Sequence, residues 1–262
     1  MSPEYSTPSA QKSAARNGHK KPSRRRDKAI CWALFVVLAL IAVQCARLGM
    51  AGLLVQRAQD VTDRWTSATR TPDLAEIRRA DKHLTDSLDY AADNPWSLEA
   101  LGALYLTRMR AARSPREALA LTRDARVRFL QALKLRPTSP FLWANLALTK
   151  LYLDEFDDEL RSALRHADEL GPWEPAVQET ILFVGLAAWQ DLDSGLQQKL
   201  VGTIARGASR NPRKIFEIAK SYTRFDLVCA IEDYRRVAGP DCNKEAAEIT
   251  GPGVATGKGF RR

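Results

Sequence analysis

An uncharged apolar run near the N-terminus constrains this chain more than any other feature. From Ala29 to Ala46 there are 18 residues without a charge, and Gln44 is the only clearly polar one. At about 1.5 Å per residue, such a helix spans roughly 27 Å, close to the thickness of a bilayer's hydrocarbon core. The apolar character continues past Arg47 to Val55. The sequence therefore predicts one membrane-spanning anchor over residues 29–55.

A cleaved signal peptide is the competing interpretation of this run. Its basic region would be unusually long, and no small-x-small cleavage site follows the apolar core. Cys45 also lacks the preceding small residues that a lipoprotein site needs. We therefore expect an uncleaved, single-pass anchor.

The net charge of +9 is concentrated on one side of this anchor. Residues 1–28 hold eight Lys and Arg residues but only Glu4 and Asp27 as acids, and the part after residue 55 is nearly neutral. Basic residues before an anchor favour a cytoplasmic N-terminus. We therefore interpret the charge as a topology signal and expect no nucleic-acid binding. The prediction is a cytoplasmic N-terminus, with the domain after the anchor on the outer side of the membrane.

The four cysteines fit this topology. Cys31 and Cys45 lie in the anchor, whereas Cys229 and Cys242 lie 13 residues apart near the C-terminus. In an oxidising compartment such a pair predicts one disulfide, although two unrelated thiols remain the alternative. No histidine lies near them, so a zinc site is not expected.

The rest of the chain predicts an all-α fold. Residues 1–28 and 248–262 have compositions typical of disordered tails, and residues 56–247 form the expected helical-repeat domain. Apolar residues recur three and four apart, as in Leu98, Leu101, Leu104 and Tyr105. Helix breaks recur at similar intervals, at Asn94-Pro95, Arg136-Pro137, Gly171-Pro172 and Asn211-Pro212. This spacing is typical of two-helix units that stack on one another.

Two sets of residues carry a family resemblance. The first set resembles the first-helix signature of a tetratricopeptide repeat, with a leucine at the usual tryptophan position: Leu98, Leu101, Gly102 and Tyr105. The second set resembles the second-helix signature: Ala125, Phe129, Ala132 and Pro137. Trp143, Leu146 and Ala147 restart the first-helix pattern, and a looser second-helix pattern follows at Ala163, Ala167, Leu170 and Pro175. The resemblance implies stacked helical hairpins, in which small residues allow close approach. Helical hairpins outside this family remain the alternative.

The whole chain combines a basic tail, one anchor, degenerate repeats, the segment 171–175 with Gln178 and Trp189, and a late cysteine pair. In this combination it resembles the VpsP family of polysaccharide biosynthesis proteins. The resemblance implies a role in surface-glycan assembly, in the bacterial inner membrane with the C-terminal domain in the periplasm.

The residues that could support catalysis are few. His83 and His166 lie on charged helical surfaces without a second ligand at metal-binding spacing, so we expect solvated positions and no metal. The sequence lacks phosphate-binding loops and nucleophile elbows. The acidic run 154–159 is interpreted as a helix start, because it lacks the glycine and the alternating oxygens of a calcium loop. We expect no enzyme activity and no cofactor.

Binding is the remaining class of function. If the repeats align as described, the first helices line a partner-binding groove with Trp96, Glu99, Phe141, Asn145, Leu148 and Tyr152. Alternatively, this stripe packs against the helix that follows the anchor, at about 56–70. A basic cluster could also contact an acidic glycan or an acidic partner, with a solvated face as the alternative: Arg108, Arg110, Arg113, Arg116, Arg123, Arg126 and Arg128.

Together these features predict a membrane-anchored periplasmic scaffold that binds protein partners in exopolysaccharide biosynthesis or export. An assembly factor for another envelope process, such as cytochrome maturation or cell division, is the alternative from the same class. A glycan-active enzyme is the alternative from another class.

Overall fold

The computed structural model describes residues 24–67, 73–231 and 242, and this part of the chain is all-α, as predicted. Among the described residues there is one 3-10 turn, Trp189–Asp191, between two α-helices. In chain order the helices are α1 Arg24–Ser67, α2 Leu74–Tyr90, α3 Pro95–Arg110, α4 Pro115–Leu135, α5 Pro140–Tyr152, α6 Asp158–Leu170, α7 Pro175–Ala187, α8 Ser194–Arg210, α9 Pro212–Ser221 and α10 Phe225–Cys229. Residues 1–23 of the expected basic tail, and the whole expected tail 248–262, lie outside the described residues.

Proline and polar caps determine where the helices begin. Proline occupies the first turn of α3, α4, α5, α7 and α9, where its missing N–H has no helical partner to lose. Side chains before α3, α4, α6 and α8 accept hydrogen bonds from first-turn N–H groups, namely Asn94, Ser114, Asp157 and Asp193. The breaks predicted at the four proline dipeptides all fall at helix ends, which confirms them.

The chain divides into two compact units, 1–46 and 47–262. Within α1, the stretch Asp27–Thr62 has a mean hydropathy of 2.5 in its most apolar part and is long enough to cross a membrane. Its large side chains, such as Trp32, Phe35 and Leu38, are exposed. These properties fit a segment that faces lipid.

The second unit is a tetratricopeptide-like stack of helical hairpins. Each of the pairs α3–α4, α5–α6, α7–α8 and α9–α10 packs together. The first helices of successive hairpins also contact one another, α3 with α5, α5 with α7 and α7 with α9. The first helices therefore form one layer of the stack.

Small residues allow these hairpins to close. A Cβ atom placed on Gly102 would lie 2.5 Å from the Phe129 ring, so only glycine fits between α3 and α4. Phe129, Ala125 and Ala132 are fully buried. The packing expected from the two signatures is thereby confirmed for the first hairpin.

The part of α1 after residue 47 packs on α2 and α3. Val55 and Ala58 form a separate apolar cluster with Ile77, Ala80, Leu84, Leu101 and Leu104. None of the six predicted groove residues belongs to this cluster.

The predicted disulfide joins Cys229 and Cys242, whose Cα atoms are 5.9 Å apart. Cys31 and Cys45 are free and exposed. The bridge ties residue 242 to the end of α10, at the last hairpin of the stack.

Candidate functional site

The six predicted groove residues differ widely in exposure. Trp96 and Phe141 are 54% and 39% exposed, and each follows the proline that begins its helix. Leu148 is buried, with 8% exposure. The other three, Glu99, Asn145 and Tyr152, are half-buried.

Arg136 occupies one end of this stripe. Its guanidinium carbon lies 3.6 Å from the centre of the Trp96 ring, and its Nη1 donates a hydrogen bond of 2.8 Å to Glu99 Oε2. Burial raises the pKa of Glu99, although the charge of Arg136 opposes this shift. Trp96 and Glu99 therefore already contact Arg136 of the same chain, whereas the Phe141 side chain remains exposed.

Two aromatic residues that sequence reasoning missed extend the other end. Phe183 and Tyr222 meet edge to face with ring centres 5.5 Å apart. Burial, together with the nearby Tyr152, raises the pKa of Tyr222 to about 12. We call Tyr152, Phe183 and Tyr222 the aromatic cluster; all three are half-buried and lie on or beside α5, α7 and α9.

A repeated offset could have identified Tyr222. It lies ten residues after Pro212, just as Tyr105 lies ten residues after Pro95. Both prolines begin first helices of hairpins, so these two tyrosines hold the same position in the repeat. The distance of ten residues from the helix-initial proline was therefore the sequence signal that could have identified Tyr222.

At the same offset in α5 stands a buried lysine. The Lys150 side chain is only 1% exposed, and its Nζ donates hydrogen bonds to Glu155 and to Asp157, the latter at 2.6 Å. Glu159 lies 3.3 Å from the same Nζ. Burial acts to lower the pKa of Lys150, but its bonds to the three carboxylates raise it above the ordinary value.

The acidic run 154–159 thus surrounds Lys150 and leads into a helix. Asp157 caps α6, accepting a hydrogen bond of 3.1 Å from the Leu160 N–H. This confirms the predicted helix start. The ion pairs with Lys150 give the carboxylates a structural role at this turn.

The basic cluster divides into paired and unpaired members. Arg126 forms ion pairs with Glu155, at 3.8 Å, and with Glu159, while Arg108 lies 3.8 Å from Asp81. Within the described part of the chain, the remaining arginines form no ion pair: Arg110, Arg113, Arg116, Arg123 and Arg128. Arginines without an ion pair are therefore concentrated on and just before α4, which also carries Glu117 and Asp124.

Two tryptophans of the later hairpins lie against a histidine ring and a guanidinium group. The His166 ring is exposed and lies 4.4 Å from the Trp143 ring, nearly parallel to it. Arg210 lies 5.9 Å from the centre of Trp173, which is 57% exposed. His83, expected to be solvated, is half-buried.

No family model matches the sequence, and no curated protein is significantly similar to it. One similar solved structure comes from a functional characterization of pilF of Pseudomonas aeruginosa. The two chains are 15% identical and superpose with a TM-score of 0.36, over 79% of this chain and 100% of that chain. Because this likeness is distant, function has to be inferred from the residues of this chain.

Proposed function

We propose that this protein is a membrane-anchored scaffold for bacterial exopolysaccharide biosynthesis or export. Its N-terminus lies in the cytoplasm, and its helical domain lies in the periplasm. The layer of first helices binds partner proteins through Trp96, Glu99, Phe141, Asn145, Leu148 and Tyr152.

The observation that carries the binding proposal is the set of aromatic side chains on this layer. Phe141 is 39% exposed, and the aromatic cluster is half-buried rather than enclosed in the core. Aromatic residues with part of their surface exposed are enriched at the centres of protein interfaces. A partner segment with apolar side chains would cover them.

The location is supported by two independent features. The basic residues before the anchor favour a cytoplasmic N-terminus. The Cys229–Cys242 disulfide is typical of an oxidising compartment such as the periplasm. The exopolysaccharide setting is supported by the whole-chain resemblance to VpsP proteins.

Site-specific photo-crosslinking in cells tests the binding surface. A photoreactive residue at 141 or 152 should crosslink to a protein of the polysaccharide assembly machinery. The matched control is position 201, because Val201 is 38% exposed but lies on α8, a second helix of its hairpin. Equal crosslinking from all three positions, or none from 141 and 152, would contradict the proposal.

Topology has its own test. A reporter that is active only in the periplasm should be active when fused after Arg262. Thiol labelling without reductant should leave Cys229 and Cys242 unmodified. An inactive fusion would reverse the proposed orientation.

A further inference from the structure

The first two hairpins differ at one equivalent position. Trp143 lies three residues after Pro140; it stacks on His166, and its Nε1 donates a hydrogen bond of 2.7 Å to the Pro137 carbonyl. Leu98 lies three residues after Pro95 and so takes the same place in the first hairpin. A leucine cannot fill the volume of a tryptophan.

A groove of about 220 Å³ lies beside Leu98. Arg128 borders it, directly preceding Phe129 as His166 directly precedes Ala167 in the second hairpin. The first hairpin therefore has a planar side chain, Arg128, at the position of His166, but no aromatic ring at the position of Trp143. We call this the Leu98 groove; it is lined by Leu88, Ala92, Asp93, Leu98, Arg128, Gln131, Lys134 and Leu135.

The polar rim of the groove is mainly cationic. Arg128 Nη1 donates a hydrogen bond of 3.2 Å to Gln131 Oε1, and neither Arg128 nor Lys134 forms an ion pair with a described residue. Asp93 is the one carboxylate among the lining residues. The floor is apolar, since Leu98 is buried and Leu88 is half-buried.

A basic and apolar face of α4 continues from this groove. Five residues at offsets of 0, 3, 7, 11 and 18 share one side of the helix, as the 3.6-residue period requires. Leu119 and Val127 on this side are 39% and 51% exposed. We call this side the α4 face; it comprises Arg116, Leu119, Arg123, Val127 and Lys134, and its three cations are exposed.

We propose that the Leu98 groove and the α4 face together bind an acidic helical segment of a partner protein. An aromatic side chain of that segment fills the groove and stacks on Arg128, in the place that Trp143 takes beside His166. Glutamate or aspartate side chains of the segment pair with Arg116, Arg123 and Lys134. Apolar side chains between them cover Leu119 and Val127.

A protein partner fits these features better than a bilayer or a polysaccharide does. A groove about the size of one large side chain is typical of the pocket that receives an anchor residue at a protein interface. Anionic lipid headgroups could pair with the cations of the α4 face, but a flat bilayer would place no side chain in the Leu98 groove. The site lies mainly on α4 and includes none of the six residues through which the layer of first helices is proposed to bind, so the inference does not depend on the function proposed above.

The direct test is binding of a synthetic peptide to the full chain in phosphatidylcholine nanodiscs. The probe is a dye-tagged helix of about 18 residues, matching the length of the α4 face. It carries glutamates and leucines at helical spacing and a single tryptophan. We expect fluorescence anisotropy to show binding about tenfold tighter than for the same peptide with alanine in place of tryptophan, and weaker binding at high salt.

Two variants of the protein locate the site. Leu98→Trp fills the groove from within and should weaken binding about tenfold. The double variant Arg116→Glu and Arg123→Glu should weaken it at least as much. Its control is Arg213→Glu with Lys214→Glu, an equal charge change at exposed positions of α9, which should leave binding unchanged. Circular dichroism establishes that each variant is folded, and the exposed double variant tests the site even if Leu98→Trp does not fold.

Several results would overturn the inference. Equal binding of the tryptophan and alanine peptides would mean simple ion exchange without an anchor. An equal loss in the α9 control would mean a nonspecific charge effect. Loss of peptide binding in nanodiscs containing phosphatidylglycerol, caused by the lipid itself competing for α4, would favour an anionic bilayer. Competition by an acidic polysaccharide, but not by excess unlabelled peptide, would favour a glycan.

Discussion

The first two hairpins of the stack have the same helix arrangement but carry different side chains at equivalent positions. In α5–α6, Trp143 stacks on His166, and Lys150 forms ion pairs with three carboxylates, so these groups find their partners within the hairpin. In α3–α4, a groove lies between Leu98 and Arg128, and the cations of the α4 face form no ion pair with a described residue. Residues at fixed offsets from the helix-initial prolines therefore pack the two helices of each hairpin together. The side chains at those offsets then decide which surface remains available for binding.

Removing the aromatic core of the first hairpin should have the largest effect. Phe129→Ala deletes a fully buried ring, and we expect the free energy of unfolding to fall by about 3–5 kcal/mol. Urea unfolding of the full chain in neutral detergent, followed by circular dichroism, measures it. Val127→Ala, two residues away and 51% exposed, is the control and should change stability by less than about 0.5 kcal/mol.

A double-mutant cycle locates the cause. Gly102→Ala alone should cost about 1–3 kcal/mol, because the added methyl group meets the Phe129 ring. In the Phe129→Ala background that cost should largely disappear. Additive effects would mean that Gly102 and Phe129 do not limit how closely α3 and α4 pack.

The buried lysine of the second hairpin should come next. Lys150→Met keeps most of the stem but leaves Glu155, Asp157 and Glu159 without their shared cation, and we expect a loss of about 2–3 kcal/mol. Lys82→Met is the matched control, since Lys82 pairs with Asp86 but is 73% exposed. There the loss should stay below about 0.5 kcal/mol. Equal losses of unfolding free energy in the two variants would show that burial of Lys150 does not strengthen its ion pairs.

Sequence patterns predicted the fold well because its signals are local. Prolines at helix starts, the two short helix signatures that contain Gly102 and Phe129, and two cysteines 13 residues apart are each visible in short stretches of sequence. Each of them acts through sterics or covalent geometry. Such effects depend little on distant parts of the chain.

The binding surface was harder to predict because it depends on contacts between distant residues. Arg136 reaches Trp96 and Glu99 across the hairpin, which no local pattern indicates. Lys150 is buried against the usual tendency of lysine. Its burial depends on the turn at Asp154, where a φ of 58° turns the chain so that the acidic run faces Lys150. The half-buried Phe183 and Tyr222 likewise become part of the site only through stacking of the hairpins.

Removing the Trp143–His166 stack of the second hairpin should lower stability by a smaller amount. Trp143→Leu removes the stack on His166 and the hydrogen bond to the Pro137 carbonyl, and we expect a loss of about 1–2 kcal/mol. His166→Ala removes the stack and an exposed 2.8 Å hydrogen bond between His166 Nδ1 and the Ser162 carbonyl, but it keeps the apolar bulk of Trp143 and its bond to Pro137. Its loss in the same urea measurement should therefore be smaller than that of Trp143→Leu. A larger loss from His166→Ala than from Trp143→Leu would contradict this division of the energy.

The smallest effect concerns the offset that Tyr222 and Lys150 share. The pKa of Tyr222 is raised to about 12, so the folded protein keeps this proton while the unfolded chain releases it near pH 10. Stability from this group is complete below about pH 10 and falls as the pH rises towards 12. At about pH 11 we expect Tyr222→Phe to avoid about 1 kcal/mol of the wild-type loss, measured by urea unfolding relative to neutral pH. The pKa of Lys150 is also raised, so its share of the alkaline loss should persist in Tyr222→Phe and disappear in Lys150→Met. If wild type and Tyr222→Phe lose stability in parallel, the hydroxyl of Tyr222 is not buried in the aromatic cluster.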